Sequence, residues 1–230
     1  MKAKLLLLHG ALGTKDQFRT LKEKLSDVFE VHDIDFEGHG AKESSKDFSM
    51  DLFVENVVTY LELNLIEMIN IFGYSMGGYV GLKLAIKYPT KVGKIMTLGT
   101  KFNWTETSAA QEIRMLNPEK IEEKIPSFAN KLASIHTNNN WKEVMIKTAK
   151  MMYQLGQGDN VTSQELEQIK HEVLIGIGSE DRMVSIEESK KSVGLLQNGM
   201  LKVIEGFQHP IEKNDADELS SIIVDMMKNR

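Results

Sequence analysis

The sequence predicts an α/β fold, with a parallel sheet of about six strands covered by helices on both faces and interrupted by a helical insertion. Two observations predict it. Short apolar runs alternate with segments of helical periodicity as far as Gly99, which is typical of a parallel sheet. From Trp104 to about Glu172 only helical patterns occur. We therefore expect a core of residues 1–103 and 172–230 and a helical cap at 104–171, or else a peripheral elaboration with no part in substrate binding.

Length and composition limit the possible functions. A chain of 230 residues fits one α/β domain carrying an insertion. Its net charge of -5 and the absence of a basic block argue against nucleic acid as a partner. The sequence has no cysteine, which excludes disulfides, a thiolate nucleophile and a Cys-ligated metal. We expect neither a metal nor a cofactor.

The most apolar segment near the start of the sequence is too short to act as a membrane signal. Leu5–Leu8 lacks the length and the cleavage site of a signal peptide, and nothing approaches the roughly 20 apolar residues of a membrane span. The sequence therefore predicts no membrane span and a cytoplasmic location. It does not indicate an oligomeric state.

The first half of the sequence alternates strands and helices. An apolar run predicts a strand over Lys4–Leu8, and alternating apolar and polar residues predict one over Phe29–Asp35. Each is followed by a glycine-rich loop. Apolar residues at helical spacing predict helices over Asp16–Leu25 and Asp51–Leu63.

The pattern Gly73-Tyr74-Ser75-Met76-Gly77 lies between an apolar run and a helical pattern that ends at Tyr88-Pro89. This predicts a strand, a very sharp turn and a helix, with the Ser75 hydroxyl presented at the strand tip. The alternative is a glycine-rich turn in which Ser75 is only a helix N-cap. A further strand over Val92–Gly99 follows.

The second half predicts the insertion and the rest of the sheet. Helical patterns cover Ala109–Leu116, Pro118–Ser134 with a kink at Pro126, Trp141–Leu155 and Ser163–Lys170, with Asn140 and Ser163 as N-caps. Strands are then predicted over Val173–Ile177 and Met200–Ile204. A helix is predicted between them over Ile186–Leu196, and a closing helix over Ile211–Asn229.

Reactive side chains follow three of the predicted strands: Ser75, Asp181 and His209. The carboxyl ends of parallel strands meet at one edge of a sheet, so we expect these side chains to converge. A serine nucleophile needs an imidazole to take its proton, and the imidazole needs a carboxylate to fix its tautomer. The sequence therefore predicts a catalytic triad.

In this order of residues the chain resembles the α/β-hydrolase superfamily, of the small esterase and lipase-like kind with a helical cap. The resemblance covers nearly the whole chain and rests on four motifs: His9-Gly10, Asp35-Phe36-Glu37-Gly38-His39-Gly40, the turn at Ser75, and Gly178-x-x-Asp181 with His209. It implies an oxyanion hole formed by the backbone N–H groups of Ala11 and Met76.

Two departures from the family pattern stand out. Family members have two antiparallel strands ahead of the His-Gly strand, whereas here that strand starts within the first five residues. We therefore expect the hydrolase sheet without its first two strands. The proline that usually precedes Gly-His-Gly is Glu37, which places a carboxylate near the site mouth.

Several residues have alternative interpretations. Asp181 could be a turn residue or an N-cap, leaving Asp35, Glu180 or Glu106 as the acid. We expect His39 to fold its glycine loop and His9 to orient the oxyanion loop. For His32, His136 and His171 the sequence suggests no partner.

The resemblance implies a serine hydrolase that cleaves a small to medium ester through an acyl-enzyme on Ser75. Thioesterases follow the same mechanism, and C–C hydrolases and lyases share the fold. The alternative that is not an enzyme is a ligand receptor that retains the triad. Candidate pocket residues are Leu12, Trp104, Met145 and Met152, although the cap residues among them equally fit helix packing.

Overall fold

The computed structural model describes residues 2–228, which form one β-sheet and the helices around it. Its elements, in chain order, are β1 (Ala3–Leu8), α1 (Arg19–Leu25), β2 (Phe29–Ile34), α2 (Met50–Leu63), β3 (Ile69–Tyr74), α3 (Met76–Lys87), β4 (Val92–Leu98), α4 (Glu106–Arg114), α5 (Pro118–Lys124), α6 (Pro126–Ile135), α7 (Trp141–Gly156), α8 (Ser163–Glu167), β5 (Glu172–Gly178), α9 (Ile186–Val193), β6 (Asn198–Ile204) and α10 (Ala216–Lys228).

The predicted six-stranded parallel sheet is confirmed. Its strands lie in the order β2-β1-β3-β4-β5-β6, and every neighbouring pair is parallel. Leu5–Leu8 of β1 are fully buried, as expected for a strand with both faces covered. The order reverses between β1 and β3, so the loops that leave these two strands open onto the same crevice.

Two apolar cores lie on opposite faces of the sheet. One contains buried residues of α2 and α3, and the other contains buried residues of α1 and α10. Among the described residues, no helix combines the length and the apolar character needed to cross a membrane.

Between β4 and β5 the described chain forms five helices and no strand. The kinked helix expected over Pro118–Ser134 is instead two helices, α5 and α6. Ile125 between them has a non-helical backbone (φ -136°, ψ 59°), and Pro126 has no N–H with which to continue the helical ladder. Ser163 was the expected N-cap of α8, but the side chain of Thr162 accepts the capping bond, so Ser163 is the first helical residue.

Helix boundaries differ from expectation at both ends of the sequence. Instead of one helix over Asp16–Leu25, a 3₁₀ turn at Lys15–Phe18 precedes α1. The closing helix expected from Ile211 is a 3₁₀ turn at Ile211–Lys213 followed by α10, and its predicted end at Asn229 lies outside the described residues. In both places a short 3₁₀ segment precedes the α-helix.

Candidate active site

Ser75 lies in the sharp turn between β3 and α3. Its backbone is left-handed (φ 51°, ψ -115°), a conformation that is strained for any residue with a Cβ. Its N–H donates to Leu98 O (2.8 Å), which ties the turn to β4. Ser75 occupies the N-cap position of α3, yet its side chain makes no capping hydrogen bond. The hydroxyl therefore does not cap the N-terminus of α3.

Close packing around the turn explains why residue 77 is a glycine. A Cβ added at Gly77 would collide with the main-chain oxygen of Leu8 at the end of β1. The turn is thus pressed against the loop that leaves β1. Thr100 completes the support, because its hydroxyl donates to Ser75 O (2.9 Å).

Asp181 and His209 form a hydrogen-bonded pair at the carboxyl ends of β5 and β6. Asp181 Oδ2 lies 2.9 Å from His209 Nδ1, and the two side chains are 2% and 11% exposed. Asp181 Oδ1 accepts hydrogen bonds from the N–H groups of Met183 and Val184. Burial disfavours the charged carboxylate, but the bond to His209 and the two N–H donors outweigh it and lower the pKa of Asp181.

The loop that carries His209 is held by hydrogen bonds to main-chain groups of Gln208 and Phe207. Gln208 N donates to Asn214 Oδ1 (2.8 Å), and Asn214 Nδ2 donates back to Gln208 O (2.9 Å). Phe207 O accepts from Glu180 N, which joins this loop to the loop of Asp181. The two halves of the pair are therefore held by neighbouring loops.

Ser75 and His209 line the same cavity. No hydrogen bond joins their side chains in residues 2–228. Catalytic hydrogen bonds are frequently long in ligand-free enzymes and shorten when substrate binds. The arrangement places hydroxyl, imidazole and carboxylate in sequence along one edge of the sheet.

Ala11 and Met76 also line this cavity, and each carries a backbone N–H without an acceptor in the described part of the chain. Met76 is the first residue of α3, where N–H groups have no partner within the helix. Ala11 lies in a turn closed by the bond from Gly13 N to Gly10 O (3.1 Å). Leu12 follows in a left-handed conformation (φ 58°). Two residues whose N–H groups lack acceptors thus line the cavity that contains Ser75.

His9 is fully buried below the turn of Ala11. Its Nδ1 bonds Gly10 O (2.8 Å), and its Nε2 accepts from Phe36 N (3.2 Å). These two bonds require a neutral ring with the proton on Nδ1. Burial lowers the pKa of His9 to about 4, opposed in part by the bond to Gly10 O. The imidazole links the loop after β1 to the loop after β2.

His136, for which the sequence suggested no partner, joins the cap to both glycine loops. Its Nδ1 accepts from Gly40 N (3.0 Å), and its Nε2 lies 3.2 Å from Leu12 O. It directly follows α6. His32 and His171 also have partners, since His32 bonds Tyr60 and His171 bonds Pro89 O.

Glu37 does not point a free carboxylate at the site mouth. Its side chain accepts from Ser44, Lys46 and Asn56. Burial opposes ionisation, but these donors together lower the pKa of Glu37. The carboxylate therefore fixes the loop after β2.

Two cavities meet at Ser75. The first, which we call the inner pocket, has a cavity volume of about 40 Å³. Its wall consists of Ala11, Met50, Ser75, Met76, Tyr79, Lys101, Trp104, Glu112, Met151, Met152, Met183, Val184 and His209.

The second cavity, the outer groove, is larger, with a volume of about 940 Å³. It shares Ser75 and His209 with the inner pocket. Its other wall is mainly apolar and includes Leu12, Met115, Leu116, Ile121, Ile125, Phe128, Leu132 and Ile135.

Of the predicted pocket residues, Trp104 and Met152 line the inner pocket and Leu12 lines the outer groove. Met145 belongs to neither wall and is fully buried. It lies on the same face of α7 as Met152 but two turns away, roughly 10 Å along the helix. Only the C-terminal half of α7 borders the pocket.

The sequence analysis missed Lys101 and Glu112 as wall residues. Lys101 lies three residues beyond the end of β4, the strand beside β3, so its position along the chain was a usable signal. The sequence did not predict which face of a cap helix borders the pocket. Of the alternative acids, Asp35 accepts from Lys15 N and Glu180 from Gln208. Among the described residues, no group of three or more His, Asp or Glu side chains could hold a metal ion.

Known proteins resemble this chain in sequence and in fold. The family model described as "alpha/beta hydrolase fold" matches residues 4–135. Ethanol acetyltransferase 1 of Kluyveromyces lactis is 29% identical over 87 residues, which are 37% of this chain and 24% of that protein. Pimeloyl-[acyl-carrier protein] methyl ester esterase of Nitrosomonas europaea is 28% identical over 96 residues, 42% of this chain and 36% of that protein.

The chain therefore spans about a quarter to a third of the length of these curated relatives. Among solved structures, NosK from Streptomyces actuosus superposes with a TM-score of 0.84 at 18% identity, over 99% of this chain and 98% of that one. At this identity the likeness concerns the fold.

Proposed function

The chain belongs to the α/β-hydrolase-fold family, and from this premise we propose that it is a serine hydrolase that cleaves a small to medium carboxylic ester. The observation that carries the proposal is the 2.9 Å contact between Asp181 and His209, because His209 lines the same cavity as Ser75. The strained backbone of Ser75 and its uncapped hydroxyl support the same conclusion.

In the proposed reaction His209 takes the proton of Ser75 as the hydroxyl attacks the substrate carbonyl. Asp181 holds the imidazole in its tautomer and stabilises the imidazolium that forms, which requires the ionised carboxylate favoured by its lowered pKa. His209 then passes the proton to the leaving alcohol. Water, activated by the same imidazole, hydrolyses the acyl-enzyme.

The negative oxygen of the tetrahedral intermediate would be bound by the N–H groups of Ala11 and Met76. Each such donor is worth about 3 kcal/mol of barrier. Both groups lack other acceptors in the described chain and line the inner pocket. The N-terminus of α3 favours negative charge at the same place.

We also propose that residues 104–171 act as a cap over the site. The cap contributes Trp104, Glu112, Met151 and Met152 to the inner pocket. The limited size of that pocket supports a small to medium substrate group. The names of the two curated relatives, an acetyltransferase and a methyl ester esterase, both describe chemistry at an acyl group.

The test is the hydrolysis of p-nitrophenyl butyrate under single- and multiple-turnover conditions. We expect a burst of p-nitrophenol followed by steady turnover, with both lost in Ser75→Ala. A matched thioester series separates esterase from thioesterase activity. If neither esters nor thioesters are turned over by the folded protein, the proposal is wrong and a ligand receptor is favoured.

A further inference from the structure

A histidine of the cap holds the turn that carries Ala11. His136 directly follows α6 and is 1% exposed. Its Nδ1 accepts a hydrogen bond from Gly40 N (3.0 Å), so the neutral ring carries its proton on Nε2. Nε2 therefore donates to Leu12 O (3.2 Å). Both ring nitrogens of this cap residue are thus bonded to main-chain groups of the core.

The turn that His136 holds lies against the proposed nucleophile. We call its four residues, Gly10–Gly13, the oxyanion turn. Gly13 N donates to Gly10 O (3.1 Å) and closes it. A Cβ added at Gly10 would lie 3.3 Å from the Cβ of Ser75, so the turn and the nucleophile are close neighbours. A small displacement of the turn would therefore move Ala11 relative to Ser75.

The conformation of the oxyanion turn needs support from its surroundings. Leu12 has a left-handed backbone (φ 58°), which is strained for a residue with a Cβ. Such strain persists only where surrounding contacts maintain it. At one end of the turn His9 bonds Gly10 O (2.8 Å), and at the other His136 bonds Leu12 O. The cap thus supplies the hydrogen bond at the strained residue itself.

A neighbouring cap residue also bonds the core but does not reach the oxyanion turn. Asn139 Nδ2 donates to Gly40 O (3.0 Å) and to Lys42 O (3.3 Å), both in the loop after β2. Within residues 2–228, the hydrogen bond from the cap to the oxyanion turn is the one made by His136. Attachment of the cap to the core is therefore shared, whereas support of the turn is specific to His136.

Resting on the proposed function, we propose that His136 is a positioning residue, which fixes the oxyanion turn through Leu12 O and so holds the N–H of Ala11 in place for the tetrahedral intermediate. The cap then contributes to the chemical step as well as to the walls of the cavities. Donors stabilise the developing oxyanion because they are held in place before the reaction. A displacement of about 1 Å costs on the order of 100-fold in rate.

Two conservative substitutions separate the two bonds of the imidazole. In His136→Gln the amide reaches the position of Nε2 and can donate to Leu12 O, but Gly40 N loses its acceptor. In His136→Asn the shorter amide can accept from Gly40 N, but Leu12 O loses its donor. We expect His136→Gln to retain most of kcat on p-nitrophenyl butyrate. His136→Asn should lose at least about tenfold, since removal of an oxyanion donor outright costs about 100- to 1,000-fold.

The kinetic parameters distinguish positioning from support of the fold. Displacing a donor that acts in the transition state lowers kcat and leaves KM nearly unchanged. The probe 1,1,1-trifluorohexan-2-one adds to a serine hydroxyl and forms an oxyanion, so it mimics the tetrahedral intermediate. Its inhibition constant should rise in His136→Asn in parallel with the loss of kcat/KM, and should change little in His136→Gln.

The matched control is Asn139→Ala, which removes two hydrogen bonds between the cap and the core but none to the oxyanion turn. Its kcat should stay within a few-fold of wild type, even where its melting temperature falls as far as that of His136→Asn. Thermal unfolding of every variant ensures that folded proteins are compared. His136→Leu fills the same space without a donor and replaces His136→Asn if that variant does not fold; it should lose kcat equally.

Equal kcat values in His136→Gln and the variant without a donor, or an equal loss of kcat in Asn139→Ala, overturn the inference. Ser75-dependent turnover by the wild-type protein in the same experiment leaves the proposed function intact. If the folded wild-type protein shows no Ser75-dependent turnover, both are wrong.

Discussion

The hydroxyl of Tyr74 donates a hydrogen bond to the main-chain oxygen of His209 (2.8 Å). Tyr74 directly precedes Ser75, and its ring lies 5.5 Å from the imidazole of His209. The residue before the proposed nucleophile therefore holds the loop of the proposed base. Tyr74 is only 6% exposed, so water replaces this bond poorly.

Tyr74→Phe should weaken the positioning of His209. The buried carbonyl would lose its donor, at a cost of about 1–3 kcal/mol. We expect kcat on p-nitrophenyl butyrate to fall several-fold with KM nearly unchanged. Tyr60→Phe is the control, because its hydroxyl bonds His32 on the edge strand instead. Equal activity losses in both variants would contradict the positioning role.

Asp181→Asn should lower kcat/KM by about 10³- to 10⁴-fold. The amide can still accept from Met183 N and Val184 N, but its NH₂ group would face Nδ1 of His209 and favour the wrong tautomer. Steady-state kinetics with a thermal-unfolding control measures this. Asp35→Asn, Glu180→Gln and Glu106→Gln should each stay within a few-fold of wild type. A larger loss in one of these three than in Asp181→Asn would identify a different acid.

Gly99→Ala should impair activity through the Asp181–His209 pair. Gly99 has φ +61°, and an added Cβ would lie 3.1 Å from Asp181 Oδ2 and 3.2 Å from His209 Nδ1. Gly206→Ala is the control, since Gly206 has φ +73° but no atom within 4 Å of an added Cβ. Both variants should lose about 1 kcal/mol of stability from left-handed strain. Only Gly99→Ala should lose more than tenfold in kcat; similar kcat values would rule out crowding as the cause.

The buried histidines His9, His39 and His136 should make the fold sensitive to acid. Burial, reinforced by the neighbouring His9 and His136, lowers the pKa of His39 well below its usual value, and burial lowers the pKa values of His9 and His136 as well. A group whose pKa is depressed by folding stabilises the protein fully above its unfolded pKa of about 6.5. That contribution is lost as the pH falls from there towards 4.

His39→Leu should flatten this dependence. His39 stacks on Phe48 at 4.9 Å, and its buried Nε2 has no hydrogen-bond partner. Its Nδ1 makes only a long contact with Glu37 O (3.3 Å), so we expect an apolar side chain of similar volume to cost little stability at pH 7. Thermal unfolding of wild type and variant between pH 7 and 4 measures the difference. Parallel curves for the two proteins would show that His39 does not contribute.

The sequence predicted the sheet well because the central strands are short, buried apolar runs, each ending at a glycine or followed by one within a few residues. It also placed Ser75, Asp181 and His209 on loops at one edge of the sheet, since the chain order of parallel strands fixes which ends coincide. The proposed site depends on three such loops, and so its outline could be predicted from the sequence.

Details of the cap were less predictable because they depend on helix rotation and tertiary packing. Met145 and Met152 share a face of α7, yet one is fully buried and the other lines the inner pocket. The pairing of Lys101 with Glu112 joins segments whose relative position no local pattern specifies. Likewise, His136 contacts Gly40 and Leu12, which are far from it in sequence.

The central claim is that the hydroxyl of Ser75 is an activated nucleophile. Incubation with a fluorophosphonate probe, followed by intact-mass and peptide mass spectrometry, tests it most directly. We predict one adduct per chain, located on Ser75, absent from Ser75→Ala and strongly slowed in His209→Ala. A folded wild-type protein that gains no mass, or carries the adduct on another residue, would contradict the account.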